Sequence, residues 1–210
     1  MTDDRTSRFW NRIAERYARD PVADEAAYQR KLEITRNYLR PDMDLVEFGC
    51  GTGSTAILHA PLVKCITAVD FSPRMLEIAR TRAAAAGVEN IDFVEAGVEG
   101  FAPRAAACDM VLALSLLHLV ADRDAVIRKM HGLLKPGGIF VSSTACLGDS
   151  MPYIRLVAPL GAATGLLPRL GVFTRTQLRD SITAAGFAIE HDWLPGPGKA
   201  VFILARKAAG

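Results

Sequence analysis

The sequence predicts an α/β domain built on a doubly wound, largely parallel sheet with helices on both faces. Three observations carry that expectation. Beyond residue 40, short β-branched apolar runs alternate with helical stretches. The first run leads directly into a glycine-rich turn, Glu47-Phe48-Gly49-Cys50-Gly51-Thr52-Gly53-Ser54, which opens a helix. The chain closes on two alternating runs, Phe187–Trp193 and Lys199–Ala205, joined by Pro195-Gly196-Pro197-Gly198, a β-hairpin signal.

Residues 7–40 read as two helices ahead of the first strand. The first carries Phe9, Trp10, Ile13 and Tyr17 along one face. The second runs roughly over Ala23–Leu39 and stops before Pro41. Strands are expected at Leu45–Phe48, Cys65–Val69, Ile91–Val94, Met110–Leu114 and Ile139–Ser142, each a brief apolar run suited to burial on both faces. Ser72-Pro73 provides a helix cap followed by proline at the first helical position, and Gly87 ends that helix. A further helix spans Asp122–Leu134 and ends at Lys135-Pro136-Gly137-Gly138. Residues 145–173 are apolar and rich in Gly and Pro. A capping box at Thr174-x-x-Gln177 then starts a helix that ends at Gly186.

Composition narrows the class without naming a chemistry. The 210 residues include 25 basic and 23 acidic side chains, a net charge of +2, with 50% apolar and 23% charged residues. That apolar content is incompatible with a disordered chain. The near-neutral balance speaks against a nucleic-acid partner, which calls for a basic excess. The N-terminal stretch is charged throughout and does not read as a secretory leader. The longest uncharged apolar run, 156–168, falls short of the ~18–20 residues that span a bilayer, so no stable membrane insertion is expected. Cysteines at 50, 65, 108 and 146 form no CxxC pair and read as small buried hydrophobes in a reducing, cytoplasmic setting. The histidines at 59, 131 and 191 have no ligand spacing, and no metal is expected.

The glycine-rich turn is the first candidate site. Glycines let the chain turn sharply and let a ligand approach the main chain, while helix N-terminal amides favour negative groups. The spacing is GxGxG, with Ser54 where dinucleotide binders have a third glycine, and an ordinary tight strand–helix turn is the alternative. Asp70 supplies the second element. It ends the next strand, 17 residues beyond Gly53, where a carboxylate can accept both hydroxyls of a ribose. A helix-capping role for Asp70 is the weaker alternative, because Ser72 already occupies the cap.

At these residues the chain resembles the class I S-adenosylmethionine-dependent methyltransferases over essentially its whole length. EFGCGTGS matches the family's first motif and VDFSPRML its acidic second motif. CDMVLALSLLHLV resembles the fourth-strand motif, LLKPGGIFV the turn into strand five, and AGFAIEHDWLPGPGKAVFILARK the closing hairpin. The resemblance implies a seven-stranded sheet of order 3-2-1-4-5-7-6 with strand seven antiparallel. It implies one methyltransferase domain over 1–210, with an N-terminal helical lid at 1–40 and a substrate-cap insertion at 145–173.

Carried over residue by residue, the resemblance places Glu47, Gly49, Cys50, Gly51 and Gly53 around the methionine portion of S-adenosylmethionine. Asp70 would hold the ribose, with Phe71 and Met75 flanking the adenine. Gly97 falls where the family often has an acidic partner for the adenine amino group. Glu95 or Glu99 could replace it, and the Val98 amide could serve a ring nitrogen. Tyr17 and Lys31 become candidates for the cofactor's methionine end, Lys31 against the alternative of a surface lysine. Leu114 and Ser115 would line the floor between cofactor and acceptor. His118 is either a general base or a polar residue at the start of the following helix.

The implied reaction is methyl transfer to a small, partly apolar acceptor, by O-, N- or S-methylation, with S-adenosylhomocysteine as product. The strand-four loop lacks an Asn/Asp-Pro-Pro-aromatic signature and a glutamate pair, which speaks against base and arginine methylation. The 156–168 segment would wall the acceptor pocket, or else pack on the core or in a dimer contact. Monomer and homodimer are both compatible with the sequence. Two rivals are a non-catalytic S-adenosylmethionine-binding module and an NAD(P)-dependent oxidoreductase.

Overall fold

The computed structural model describes residues 4–151, 153, 154, 158 and 167–209, with side chains from residue 7 onward. Residues 152, 155–157 and 159–166 of the expected cap lie outside the described residues. Seven strands follow the order β3-β2-β1-β4-β5-β7-β6, the order that the resemblance implies. The chain divides into two compact units at Ala102/Pro103.

The first unit holds α1 (Asp4–Arg19), α2 (Glu25–Arg36), β1 (Asp44–Phe48) and α3 (Ser54–His59). A 3-10 turn (Ala60–Leu62), β2 (Cys65–Asp70), α4 (Pro73–Ala85) and β3 (Ile91–Glu95) follow. β1 and β3 pair parallel to either side of β2, with Phe48 opposite Val69 and Asp70 opposite Glu95. β1 is buried from Leu45 to Phe48, the carboxyl of Glu47 included. β3 instead alternates Ile-Asp-Phe-Val-Glu and stays half-exposed, the pattern of a charged edge strand.

The helix starts follow from side-chain caps. Asp24 accepts from the Ala27 amide at 3.0 Å, so α2 begins at Glu25 and not at Ala23. Ser72 accepts from the Met75 amide at 3.2 Å, which confirms it as the cap of α4.

The second unit holds β4 (Cys108–Leu114), α5 (Arg123–Leu133), β5 (Leu134–Thr144) and the single turn α6 (Leu147–Ser150). α7 (Arg175–Ala184), β6 (Phe187–Trp193) and β7 (Val201–Lys207) complete it. β4 and β5 run parallel; β7 is antiparallel to both β5 and β6. Asp122 caps α5 through the Ala125 amide at 2.8 Å, and Thr174 with Gln177 forms the expected capping box on α7. β5 starts five residues earlier than the apolar run suggests. Leu134 pairs with Cys108 ahead of a register shift, so the Lys-Pro-Gly-Gly stretch is drawn into the strand. Phe140 stacks on Phe187 at 5.1 Å and His131 meets the same ring edge-on at 4.9 Å, joining β5, β6 and α5. Fully buried side chains such as Phe140 and Phe202 each contribute roughly 1.5–3 kcal/mol of apolar burial.

No helix among the described residues is long and apolar enough to cross a membrane. The four cysteines carry free thiols.

Candidate functional site

The backbone of β1 runs into the glycine turn while still bonded to β2. The Gly49 and Cys50 amides both donate to the Val69 carbonyl, at 2.8 and 3.2 Å. Gly49, Gly51 and Gly53 all sit at positive φ, 69°, 54° and 76°. Gly53 is crowded as well: a Cβ there would stand 3.0 Å from the Ala79 Cβ of α4 and 3.5 Å from the Phe93 ring. The third glycine therefore serves the close approach of the turn to α4. At Gly51 a Cβ would meet Tyr17 Cε1 at an ordinary 3.9 Å, so conformation and not space calls for glycine.

Asp70 ends β2 beneath this turn. Its Oδ2 accepts the Gly51 amide at 2.9 Å and its Oδ1 accepts the Ser72 amide at 2.8 Å. The carboxylate thus orders the turn and the start of α4 together. Burial raises its pKa, and the Ser72, Gly51 and Phe71 amides pull it back down.

Glu47 stands next to it at the end of β1, 3% exposed, and its Oε2 has no hydrogen-bond partner among the described residues. Burial, and after it the charge of Asp70, pushes the Glu47 carboxyl up to about 8. An unpartnered buried carboxyl oxygen is costly, and a cationic donor would relieve it.

Tyr17, Cys50 and Tyr28 lie in the field of this acidic pair. Tyr17 leaves half its side chain exposed, yet burial of its phenol and the charges of Asp70 and Glu47 raise its pKa. Burial and then the Glu47 and Asp70 charges push the Cys50 thiol well up, so it stays a neutral apolar group. The Tyr28 hydroxyl pairs with Thr55 Oγ1 at 3.2 Å, tying α2 to the first turn of α3. Lys31, half-buried on α2, has its pKa lowered by burial and partly restored by Asp24.

Met75 is buried in the first turn of α4, directly after Ser72, and Phe71 is half-buried. The chain after β3 stays on β2 through the Ala96 amide, which donates to the Asp70 carbonyl at 3.0 Å. Val98 is buried just beyond. The Gly97 carbonyl accepts from Gly100 and Phe101, at 3.1 and 3.0 Å. Glu95 and Glu99 are both exposed.

In the second unit, Ser115 follows β4 in the left-handed region at φ 56°, its amide donating to the Ser143 carbonyl at 2.7 Å. Such strain in a non-glycine residue at a strand's carboxyl end is a common mark of a ligand-facing turn. Leu114 is the half-buried last residue of β4. His118 lies in a turn several residues before α5, not at a helix start. Its Nδ1 is buried without a partner among the described residues, and burial lowers its pKa to about 4, leaving a neutral imidazole at pH 7. Its carbonyl accepts from the Gly171 amide at 2.8 Å.

Motif reading passed over two residues of the first unit that border this arrangement. Asn11 Oδ1 accepts from Ser72 Oγ at 2.7 Å and from the Arg74 amide at 3.3 Å. Arg82 donates to Thr52 Oγ1 at 2.8 Å. Their partners lie 61, 63 and 30 positions away, so no local pattern announces them. Among the described residues no cluster of His, Cys, Asp or Glu is placed to hold a metal ion.

Residues 45–138 match the family described as "Methyltransferase domain". The ubiquinone biosynthesis O-methyltransferase of Methylocella silvestris is 35% identical over 100 residues, 48% of this chain and 39% of that protein. The enzyme of the same name from Methylobacterium nodulans is 31% identical over 157 residues, 70% of this chain and 60% of that protein. The chain thus spans 39% and 60% of the lengths of these two curated relatives. The crystal structure of an S-adenosylmethionine-dependent methyltransferase from Mesorhizobium loti superposes with a TM-score of 0.73 at 22% identity. That match covers 88% of this chain and 99% of the other, a likeness of fold.

Proposed function

We propose that this chain, a member of the class I S-adenosylmethionine-dependent methyltransferases, methylates a hydroxyl of a small, partly apolar acceptor and releases S-adenosylhomocysteine. The observation that carries the reading is the pair of buried carboxyls ending adjacent strands, one of them with an unpartnered oxygen. That pair fits the cofactor. Glu47 Oε2 lacks the donor that the methionine ammonium would bring, and Asp70 keeps lone pairs for the ribose hydroxyls beyond its two amide bonds. S-adenosylmethionine supplies an electrophilic methyl on a sulfonium, so the protein's share is orientation and exclusion of water.

In this assignment the amides of Gly49, Cys50, Gly51 and Gly53 line the methionine portion, with Tyr17 over the turn and Lys31 as a candidate for its carboxylate. Phe71 and Met75 flank the adenine, and the Val98 amide serves a ring nitrogen. Gly97 offers no side chain there, and Glu95 and Glu99, both exposed, are the candidates to replace the family's usual acidic partner of the adenine amino group. Leu114 and Ser115 are assigned to the floor of the acceptor site and His118 to the acceptor's proton, roles supported by motif order and by the strained turn after β4. A neutral imidazole accepts a hydrogen bond from the hydroxyl and takes its proton as the methyl transfers. The choice of oxygen as the accepting atom rests on the relatives, both named O-methyltransferases.

Calorimetry tests the cofactor: S-adenosylhomocysteine should bind and NAD should not. Asp70→Ala should weaken binding by roughly 10- to 100-fold; unchanged affinity would overturn the site. Hydroxyl, amine and thiol compound pools screened for S-adenosylhomocysteine release identify the acceptor, with turnover expected in the hydroxyl pool. With that acceptor, His118→Asn should lower kcat by roughly 100-fold and leave S-adenosylhomocysteine affinity unchanged. An unaltered kcat would remove His118 from the reaction.

A further inference from the structure

One guanidinium in the first unit joins the N-terminal helix to the glycine turn. Arg82, in the last turn of α4, donates from Nη1 to Thr52 Oγ1 at 2.8 Å and to Ser54 Oγ at 3.3 Å. Its Nη2 donates to the Ala18 carbonyl. That carbonyl belongs to the last turn of α1, where no intrahelical donor is left for it. Thr52 is a buried member of the turn between Gly51 and Gly53. Tyr17 precedes Ala18 directly, and its ring edge is the atom nearest a Cβ at Gly51.

We propose that Arg82 is a positioning residue for the cofactor: it latches α1 onto the glycine turn, holds Tyr17 over the methionine-binding end, and releases when the cofactor exchanges. The inference rests on the cofactor assignment above. The other anchors of α1 act differently. Asn11 bonds Ser72 and Arg74 at the start of α4, and Glu15 pairs with the exposed Arg74 side chain. Those contacts hold helix to helix, whereas Arg82 holds helix to turn. The guanidinium reaches Thr52 and Ala18 from separate nitrogens of a planar fork, whereas a lysine ammonium would have to reach both from a single nitrogen.

Trp10 provides the reporter. It lies in α1, edge-to-face with Tyr17 at 6.1 Å, and the chain's second tryptophan, Trp193, can be replaced by Phe. In that background, S-adenosylhomocysteine affinity is measured by calorimetry and its dissociation rate by Trp10 fluorescence. Arg82→Met should weaken binding roughly tenfold, chiefly through faster dissociation. Arg74→Met, which removes only the exposed ion pairs with Glu15 and Glu77, should stay within about twofold of the parent. Arg82→Lys should fall between them. In turnover, KM for S-adenosylmethionine should rise with the dissociation constant while kcat stays within about twofold, a split that general loss of stability does not produce.

Unchanged affinity in Arg82→Met, or equal losses in the two Met variants, overturns the latch. If Arg82→Met does not fold, Arg82→Lys carries the same comparison. Failure of the parent to bind S-adenosylhomocysteine would overturn the cofactor assignment instead. The latch is then tested alone by hydrogen exchange in the last turn of α1. Faster exchange in Arg82→Lys than in Arg74→Met supports it, and equal exchange overturns it.

Discussion

Under the proposed cofactor assignment, Glu47 is the residue whose protonation the ligand should change most. Asp70 from β2, Tyr17 from α1, Tyr28 from α2 and Cys50 from the turn all share its field, and none of these is cationic. With a pKa of about 8 the carboxyl is mostly protonated at pH 7. Because the folded value is raised, the stabilisation it represents is complete below the ordinary carboxyl value of 4.5 and is lost as pH rises through about 8. A cation delivered to Oε2 reverses the preference and drives the proton off. S-adenosylhomocysteine binding at pH 7 should therefore release about one proton, read as a difference in calorimetric enthalpy between buffers of unlike ionisation heat. Glu47→Gln should bind at least roughly tenfold more weakly and release none. Equal enthalpies for the parent in both buffers would mean that Glu47 is already ionised before binding.

At the scale of elements, the glycine turn depends on α4 as much as on its own strand. Gly53→Ala would place a methyl in the left-handed region and against Ala79, a combined cost of about 2–4 kcal/mol. Urea unfolding measures it; a loss under about 1 kcal/mol would show that α4 yields easily. The elements themselves were legible wherever their signals are local. Ser72-Pro73 and Thr174-x-x-Gln177 announce two helix starts, and both caps form as read; Asp122, expected as the first residue of its helix, is its cap. The errors arise where pairing overrides local pattern. Lys135-Pro136-Gly137-Gly138 has the composition of a turn, yet Leu134 opposite Cys108 recruits it into β5. His118 follows an apolar strand and resembles a helix opening, but Asp122 is the stronger cap and α5 waits for it.

For the molecule as a whole, stability should also fall toward acid pH. His59 is 1% exposed with neither ring nitrogen bonded among the described residues, and burial, then the Arg36 charge, lowers its pKa to about 4. A depressed folded pKa leaves stability intact above the ordinary value of 6.5 and erodes it as pH falls toward 4, by about 3 kcal/mol at the acid end. His59→Leu should flatten the fall of the urea midpoint across that window; an unchanged slope would assign the fall to other groups, His118 first. The two carboxylates and the closing hairpin could be read from the chain because each is encoded within one strand–turn unit. Arg82 could not, since its partners Ala18 and Thr52 lie 64 and 30 positions away and only packing brings them together. The acceptor side is the least legible for the same reason: Ser115 and His118 are single polar residues in a loop, with no spacing rule attached.

The 3.0 Å that would separate a Cβ at position 53 from the Ala79 Cβ also has a consequence for descent. Positions 53 and 79 should be inherited as one character. A side chain larger than alanine at 79 can be accepted only by a lineage in which α4 has already shifted away from the turn, and that shift would carry Arg82 with it. Related chains should therefore vary at 79 and 82 together, and keep both wherever the N-terminal helix is kept.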